Sequence, residues 1–392
     1  MITQDYYVDA HIHIGKTLSG KSVKISAAPS LTVHGILDEA LMRKGIDIVG
    51  IIDAVCPPVY EEIVGLIERG ELASHHEGGL IYRDQVTLLL GGEIEVRGPH
   101  GGAAHFGIFV PDLVALREVM SWLASRQTNP SLSSQRLQSG DAFNLAKLTK
   151  DVDGIFIVNH AFTPHKGLFG SCVEQMSDMV SPDLVTAVEL GLSADTEMAD
   201  RISQLATLSF VTNSDAHSLP KIAREYHSVA LTSPSFAAYK RALLRTGDDR
   251  ITKNVGLWPR LGKYHRTMCL ACGEQADEPT RICKKCGSQR VTMGVWDRLI
   301  EVADCQESVS PPFRPPYIHQ IPLEFIPGLG KQKLKRLMDA FGLEMTILNE
   351  VSTKDLISVL GEDLGILVDR ARSGQLALES GAGGRYGRLI LS

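Results

Sequence analysis

The chain has 392 residues, enough for two or three domains at roughly 150 residues each, and its 44% hydrophobic and 22% charged residues exclude a disordered or fibrous chain. No apolar run approaches the ~20 residues of a membrane helix, and Met1-Ile2-Thr3-Gln4-Asp5 lacks the basic start of a signal peptide, so a cytoplasmic, nucleoid-associated protein with no membrane partner is expected. The net charge of −6 does not by itself call for nucleic acid, but its distribution along the chain does.

The first predicted element is a short buried strand, Tyr6-Tyr7-Val8, followed by Asp9-Ala10-His11-Ile12-His13. In extended backbone residues two apart face the same side, so His11 and His13 can reach one metal ion. A lone His-X-His is weak evidence, but the same event recurs down the chain. Thr32 can cap a helix that stops at Lys44-Gly45, and the strand from Asp47 to Ile52 ends at Asp53. A helix around Glu61 to Arg69 precedes a strand from Val86 that leads to Glu93, and Ala103 to Val110 is a strand carrying His105. Helices are expected at 112–125 and 133–148. Strands at 154–158, 185–190 and 208–212 then deliver His160, Glu189 and Asn213-Ser214-Asp215-Ala216-His217, and a strand at 228–231 and a helix at 234–244 close the region.

Parallel strands collect functional side chains at their carboxyl ends. One rim receiving His11, His13, Asp53, Glu93, His105, His160, Asp215 and His217 would be a multinuclear metal site. Asp and Asn also end strands for turn chemistry alone, but that is a poor account of five histidines, two aspartates and a glutamate.

This ordered set resembles the PHP (polymerase and histidinol phosphatase) phosphoesterases over residues 1–245. The resemblance implies a distorted seven-stranded (β/α) barrel holding two or three divalent ions, with zinc, manganese or magnesium as candidates. That family commonly has a histidine directly after the second-motif aspartate; Ala54 stands there, so two ions are the firmer expectation. Glu93, as the central carboxylate, is assigned the bridging position, and Glu93, His105 and Asp215 the catalytic roles. His165 and Lys166 sit in the loop after the His160 strand, where a cation could hold a substrate phosphate.

Beyond residue 245 the composition turns basic, with Arg250, Lys253, Arg260, Lys263 and Arg266 in a stretch that reads as irregular. Cys269-X-X-Cys272 and Cys283-X-X-Cys286 follow, each knuckle trailed by glycine. Four thiolates at this spacing close a tetrahedral structural zinc site, and the match of two knuckles argues against a redox role. Arg281, Lys284, Lys285 and Arg290 suggest a phosphate-binding face on this ribbon.

Residues 311–316 read as a stiff proline linker. After it, Ile326-Pro327-Gly328-Leu329-Gly330-Lys331 leads a helix with Leu334, Leu337, Met338 and Phe341 on one face and Lys331, Lys333, Lys335 and Arg336 nearby. This turn resembles a helix-hairpin-helix: Gly328 and Gly330 let backbone amides approach a phosphate, and the helix N-terminus favours the anion. Such contacts grip DNA backbone without reading bases. The glycine-rich run 381–387 is expected to be a flexible tail.

The expected organisation is therefore an α/β barrel at 1–245, a basic linker and four-cysteine zinc ribbon at 246–310, and a small helical nucleic-acid-binding region at 311–392. In this order the three modules resemble endonuclease Q, a PHP subgroup of repair nucleases. That resemblance implies nicking of damaged DNA, duplex or single-stranded, on the 5′ side of deaminated bases (uracil, hypoxanthine, xanthine) or abasic sites, with the target nucleotide turned out into a pocket near 54–58 and 161–170. A replication sliding clamp is a candidate partner. The rival readings are a PHP phosphatase acting on a small phosphomonoester and a catalytically inactive DNA-binding scaffold.

Overall fold

The computed structural model describes residues 2–138, 140–262, 264–276, 278, 280–379 and 388–390. Strands β1 (Gln4–Ile12), β2 (Ile48–Ile51), β3 (Leu72–Ser74), β4 (Leu80–Tyr82), β5 (Val86–Arg97), β6 (Ala103–Val110), β7 (Ile155–Val158), β8 (Ala187–Glu189), β9 (Ser209–Val211), β10 (Tyr226–Leu231) and β11 (Arg250–Gly256) alternate with α1 (Val33–Glu39), α2 (Pro57–Glu68), α3 (Leu113–Ala124), α4 (Ala142–Asp151), α5 (Thr196–Ala199) and α6 (Phe236–Leu244). Two short strands of the ribbon, β12 (Met268–Cys269) and β13 (Val291–Thr292), then α7 (Val295–Val302) and β14 (Tyr317–His319), lead to the C-terminal helices α8 (Lys331–Phe341), α9 (Glu344–Asn349), α10 (Thr353–Leu360) and α11 (Glu362–Arg372).

The main sheet runs β14-β11-β10-β1-β2-β5-β6-β7-β8-β9, with the β3–β4 hairpin added on β5. It curls on itself: Ala216, just past β9, bridges Ile12 at the end of β1, so β1, β2, β5, β6, β7, β8 and β9 form a seven-stranded barrel. Val8, Ile48, Leu89, Phe109, Ile157, Ala187 and Val211, one from each of these strands, share one buried cluster that fills the barrel, and Phe236, Tyr239 and Leu243 of α6 close it. The pattern is the alternation of a pleated strand, one face inward and the other packed under helices.

The distortion is local. β6 runs antiparallel to both β5 and β7, whereas β1/β2, β2/β5, β7/β8 and β8/β9 are parallel. His105 therefore reaches the rim from the beginning of a reversed strand rather than from the end of a forward one.

Helix starts follow side-chain caps. Thr32, Asp112, Asp141 and Ser235 accept from backbone amides two or three residues on, before α1, α3, α4 and α6. The helix expected at 133–148 is corrected by the structure, since α4 begins only after the Asp141 cap. Residues 133–138 instead form a strap along β5, with Glu95 and Leu137 amides donating to Gln135 and Glu95 carbonyls. Ser134 has a left-handed backbone (φ 53), which a helix does not admit.

The stretch expected to be irregular after residue 250 is also corrected: its first seven residues are β11, antiparallel to β10. The proline linker ends in β14, parallel to β11, and Arg314 within it is buried against Asp200. The C-terminal helices are tied to the barrel where Lys44 and Arg43 meet Glu344 (2.7 and 2.8 Å) and Lys221 meets Glu324 (2.7 Å). No helix among the described residues is long and apolar enough to cross a membrane. Lys263 and the run 381–387 lie outside the described residues.

Candidate metal centre and nucleic-acid surfaces

Strand ends, together with the interiors of β5 and β6, bring the predicted ligands to one rim. His11 lies at the end of β1 with His13 just past it, Glu93 of β5 and His105 of β6 are diagonal neighbours (Glu93 is paired with Gly107 and His105 with Glu95), His160 follows β7, and Asp215 and His217 follow β9. Three overlapping donor groups result, each with its ligand atoms within 4.8 Å of one another: His11/His13/Glu93, His13/Asp215/His217 and Glu93/His105/His160. Glu93 belongs to two of them and so stands where a bridging carboxylate would.

The spacing fits divalent ions better than hydrogen bonds. His11 Nε2 lies 3.4 Å from Glu93 Oε1 and 3.5 Å from Asp215 Oδ1, and His105 Nδ1 lies 3.0 Å from Glu93 Oε1. Yet His11 Nε2 and both ring nitrogens of His105 are buried with no hydrogen-bond partner. Buried polar atoms are rarely left so, and nitrogen and carboxylate donors converging without bonding each other leave room for cations between them. The residues fit the ions that the sequence implies.

The electrostatics agree. Burial raises the Glu93 and Asp215 carboxyls, but His105 and Lys24 hold Glu93, and His11 and His13 hold Asp215, well below the usual carboxylate range. Burial opposes charge on His11, while Glu189 and Asp215 push its imidazole well above its ordinary value. Ionised acids facing rings that attract protons is the pattern of a site whose cations displace those protons. His160 (φ 30) and Asp215 (φ 46) also hold left-handed backbones, a strain that clusters at functional sites.

Asp53 belongs to none of the three groups. Its Oδ2 lies 3.1 Å from His13 Nδ1 and accepts the Ile14 amide (2.7 Å), so it orients His13, while Oδ1 is buried without a partner. Ala54 is fully buried.

Several residues escaped the sequence reading. Glu189, passed over there, accepts from His11 Nδ1 (2.9 Å) and from Asn213 Nδ2 (2.9 Å). Asn159 Nδ2 donates to Glu93 Oε1 (3.2 Å). Lys24, in the loop after β1, donates to Ser134 Oγ (2.6 Å) and to Glu93 Oε2 (3.4 Å). Asn159 and Glu189 share the strand-end signal of the ligands; Lys24 carries no signal, because its loop has no period that could aim it.

At the edge of the centre Glu95 ties Lys166 (2.5 Å), Arg136 and His105 Nε2 (3.5 Å), and its carboxyl falls to about 2, burial being outweighed by these partners. Lys166 is thus engaged with a carboxylate. His165 packs edge-on to Tyr264 (centroids 5.1 Å), and both line a cavity of about 280 Å3 with His160, Thr163, Gly191 and Asp215. None of residues 54–58 lines it, and Tyr264 was not foreseen.

In the ribbon the four cysteine sulfurs converge, with Cys269–Cys286 and Cys272–Cys283 Sγ pairs at 3.6 Å. The knuckles repeat one geometry: the Gly273 and Gly287 amides donate to Cys269 and Cys283 carbonyls, with φ of 74 and 71 that glycine alone adopts freely. The basic face is less free than its sequence suggests, because Lys284, Lys285 and Arg281 pair with Glu278, Glu274 and Glu301 at 2.6–3.3 Å. Exposed pairs of this kind are worth little and can yield to a phosphate.

In the C-terminal region Gly328 (φ 82) and Gly330 turn into α8, which has no side-chain cap, and Lys331 and Lys333 are exposed. The element before the turn is a single 3-10 turn, Leu323–Phe325, rather than a full helix. α10 and α11 form a second hairpin about Gly361 (φ 85). The sliding clamp finds no support among the described residues.

No family model matches the chain. It is 45% identical over 385 residues to the uncharacterised protein YqxK of Bacillus subtilis, covering 98% of both chains. Its fold is similar to that of the lesion-specific endonuclease PfuEndoQ from Pyrococcus furiosus, with a TM-score of 0.86, 28% identity and coverage of 99% of this chain and 96% of that one. A structure of endonuclease Q with a 27-mer duplex carrying an abasic lesion at the active site matches at a TM-score of 0.84 and 27% identity, covering 99% and 97%. Barrel, ribbon and C-terminal helices thus match in one order over nearly the whole length; the chain belongs to one family with YqxK, and its likeness to the endonuclease Q structures supports a metal-dependent hydrolytic nuclease.

Proposed function

We propose that the chain is a DNA repair endonuclease that hydrolyses the phosphodiester 5′ to a deaminated base (uracil, hypoxanthine or xanthine) or an abasic site. The observation that carries this reading is the convergence of seven nitrogen and carboxylate donors on one rim, with Glu93 common to two groups. Zinc, manganese or magnesium ions held there would polarise the phosphate and make bound water nucleophilic near neutral pH.

The chain's own groups do the rest. His11, His13, Glu93, His105, His160, Asp215 and His217 are the proposed ligands, Asp53 and Glu189 orient His13 and His11, and Lys24 places a positive charge beside Glu93. Glu93, His105 and Asp215 keep their proposed catalytic roles. The cavity between His160, His165 and Tyr264 borders the ligands and suits a nucleotide turned out of the duplex, whose ring can lie against Tyr264.

The proposed division of labour is chemistry at 1–245, a zinc-closed ribbon at 246–310 and backbone grip at 311–392. Cys269, Cys272, Cys283 and Cys286 would hold one structural zinc. Lys284, Lys285, His165, Lys166, Gly328, Gly330, Lys331 and Lys333 are the proposed DNA contacts, neutralising phosphates rather than reading sequence.

The test uses four labelled duplexes, with a single deoxyuridine, deoxyinosine or abasic site and an undamaged control, in magnesium and in manganese. Nicking 5′ to each lesion by the parent, and none by Glu93→Ala or Asp215→Ala, is expected. Cleavage at random on all four would remove the repair assignment. Metal analysis of Cys272→Ala should show one ion fewer per chain.

A further inference from the structure

Residues 258–262 and 264–266 border two cavities. Gly262 and Tyr264 line the one beside the metal ligands, while Trp258, Arg260, His265 and Arg266 line a second, of about 380 Å3, together with Gln275, Trp296 and the carboxylates Asp195, which is paired with His319 (3.0 Å), and Glu197. Neighbours Tyr264 and His265 thus serve opposite sides. Their carbonyls accept from the Val295 and Trp296 amides (2.7 and 3.1 Å), so the first turn of α7 fixes the segment in place.

Nothing in the metal chemistry uses the second cavity, and its lining is not that of a packing void. The Trp258 indole N–H and His265 Nδ1 are both buried without a hydrogen-bond partner, and His265 is only 7% exposed. Buried polar atoms are almost always satisfied, so two orphans on residues of one cavity wall are groups that a bound ligand would satisfy after a small turn of either ring. Burial, then Arg266 and Arg260, push the His265 imidazole down to about 4, so at neutral pH it is uncharged and one ring nitrogen can accept.

The rest of the lining narrows the ligand class. Each indole keeps one uncovered π-face, since His319 stacks on Trp258 (3.9 Å, 11°) and the Arg201 guanidinium lies over Trp296 (5.5 Å). Arg266 is held by Asp297 (3.1 Å), but Arg260 is exposed and makes no ion pair among the described residues. Aromatic faces, in-plane hydrogen-bonding groups and an exposed guanidinium complement a nucleobase joined to a phosphate.

We propose that this second cavity is a nucleotide subsite, which takes one unstacked base of the DNA strand flanking the target nucleotide and places its phosphate at Arg260. The proposal rests on the endonuclease reading above. Because both cavities share one wall, a strand with its target nucleotide against Tyr264 needs only to cross that wall to seat a neighbour against Trp258 and Trp296. A free nucleotide has the same chemistry, and the test separates the two sources.

Abasic-site duplexes carrying 2-aminopurine at one of several flanking positions are titrated with the full-length, metal-loaded protein and with Arg260→Ala and Trp296→Leu, each checked by thermal melting. Nicking by the parent reports on the endonuclease reading separately. A fluorescence change at one flanking position, lost in Trp296→Leu, and about tenfold weaker lesion binding by Arg260→Ala are expected. Nicking with no responsive position, or a response that both variants retain, overturns the subsite while leaving the endonuclease. Micromolar binding of deoxyadenosine monophosphate with every duplex silent overturns it in favour of a free nucleotide. Absence of nicking removes both.

Discussion

Glu189 Oε2 lies 2.9 Å from His11 Nδ1, with both side chains almost wholly buried. The carboxylate fixes the ring so that Nε2 faces Glu93 and Asp215, and Asn213 and the His160 amide hold the carboxylate in turn. Partners of this kind typically contribute 10–100-fold in metal affinity. Glu189→Ala should weaken metal binding by about that factor, and Glu189→Gln by less, as read by competition with a chelator. An unchanged affinity in Glu189→Ala would mean that His11 is oriented by something else.

Lys331 and Lys333 flank the uncapped start of α8. Replacing both by alanine should lower affinity for damaged and undamaged duplex alike, and reduce the slope of log affinity against log salt by about 2, because two phosphate contacts are lost. A loss confined to damaged duplex would assign them to lesion recognition instead.

Arg314 and Asp200 form a buried pair at 2.7 Å, side chains 2% and 1% exposed, with the guanidinium also over the Phe210 ring. Arg314→Ala leaves Asp200 buried and uncompensated, so denaturant unfolding should show a loss of about 3–5 kcal/mol. A loss below ~1 kcal/mol would mean that water reaches Asp200 in the native state.

Glu225 is fully buried, with Oε1 accepting the Leu257 amide (2.8 Å) and Oε2 unpartnered, and burial raises its carboxyl from 4.5 to about 8. The folded chain then binds this proton more tightly than the unfolded one. The stability this provides is complete below the unfolded value and is lost as pH rises through about 8. Glu225→Gln should flatten the decline in melting temperature between pH 5 and 8, and exceed the parent at pH 8 by on the order of a few kcal/mol. Parallel pH profiles for the two proteins would show that Glu225 ionises freely.

The sequence by itself determined the candidate ligands, because metal chemistry restricts donors to a few residue types and because such residues recur after apolar strand runs. His11, His13, Glu93, His160 and Asp215 carry that signal, whereas His105 stands near the start of its own apolar run. The cysteine knuckles were equally legible, since a tetrahedral site fixes spacing within each pair. Tertiary structure alone decided the remainder. The reversal of β6, the closure of β1 on Ala216, the strap at 133–138 and the addition of β11 and β14 to the sheet depend on contacts between residues far apart in the chain. Lys24 reaches Glu93, and Tyr264 its cavity, from loops, where neither period nor cap specifies direction. Pairing across a sheet and the aim of a loop side chain are set by the partners available in three dimensions, and a local pattern does not encode them.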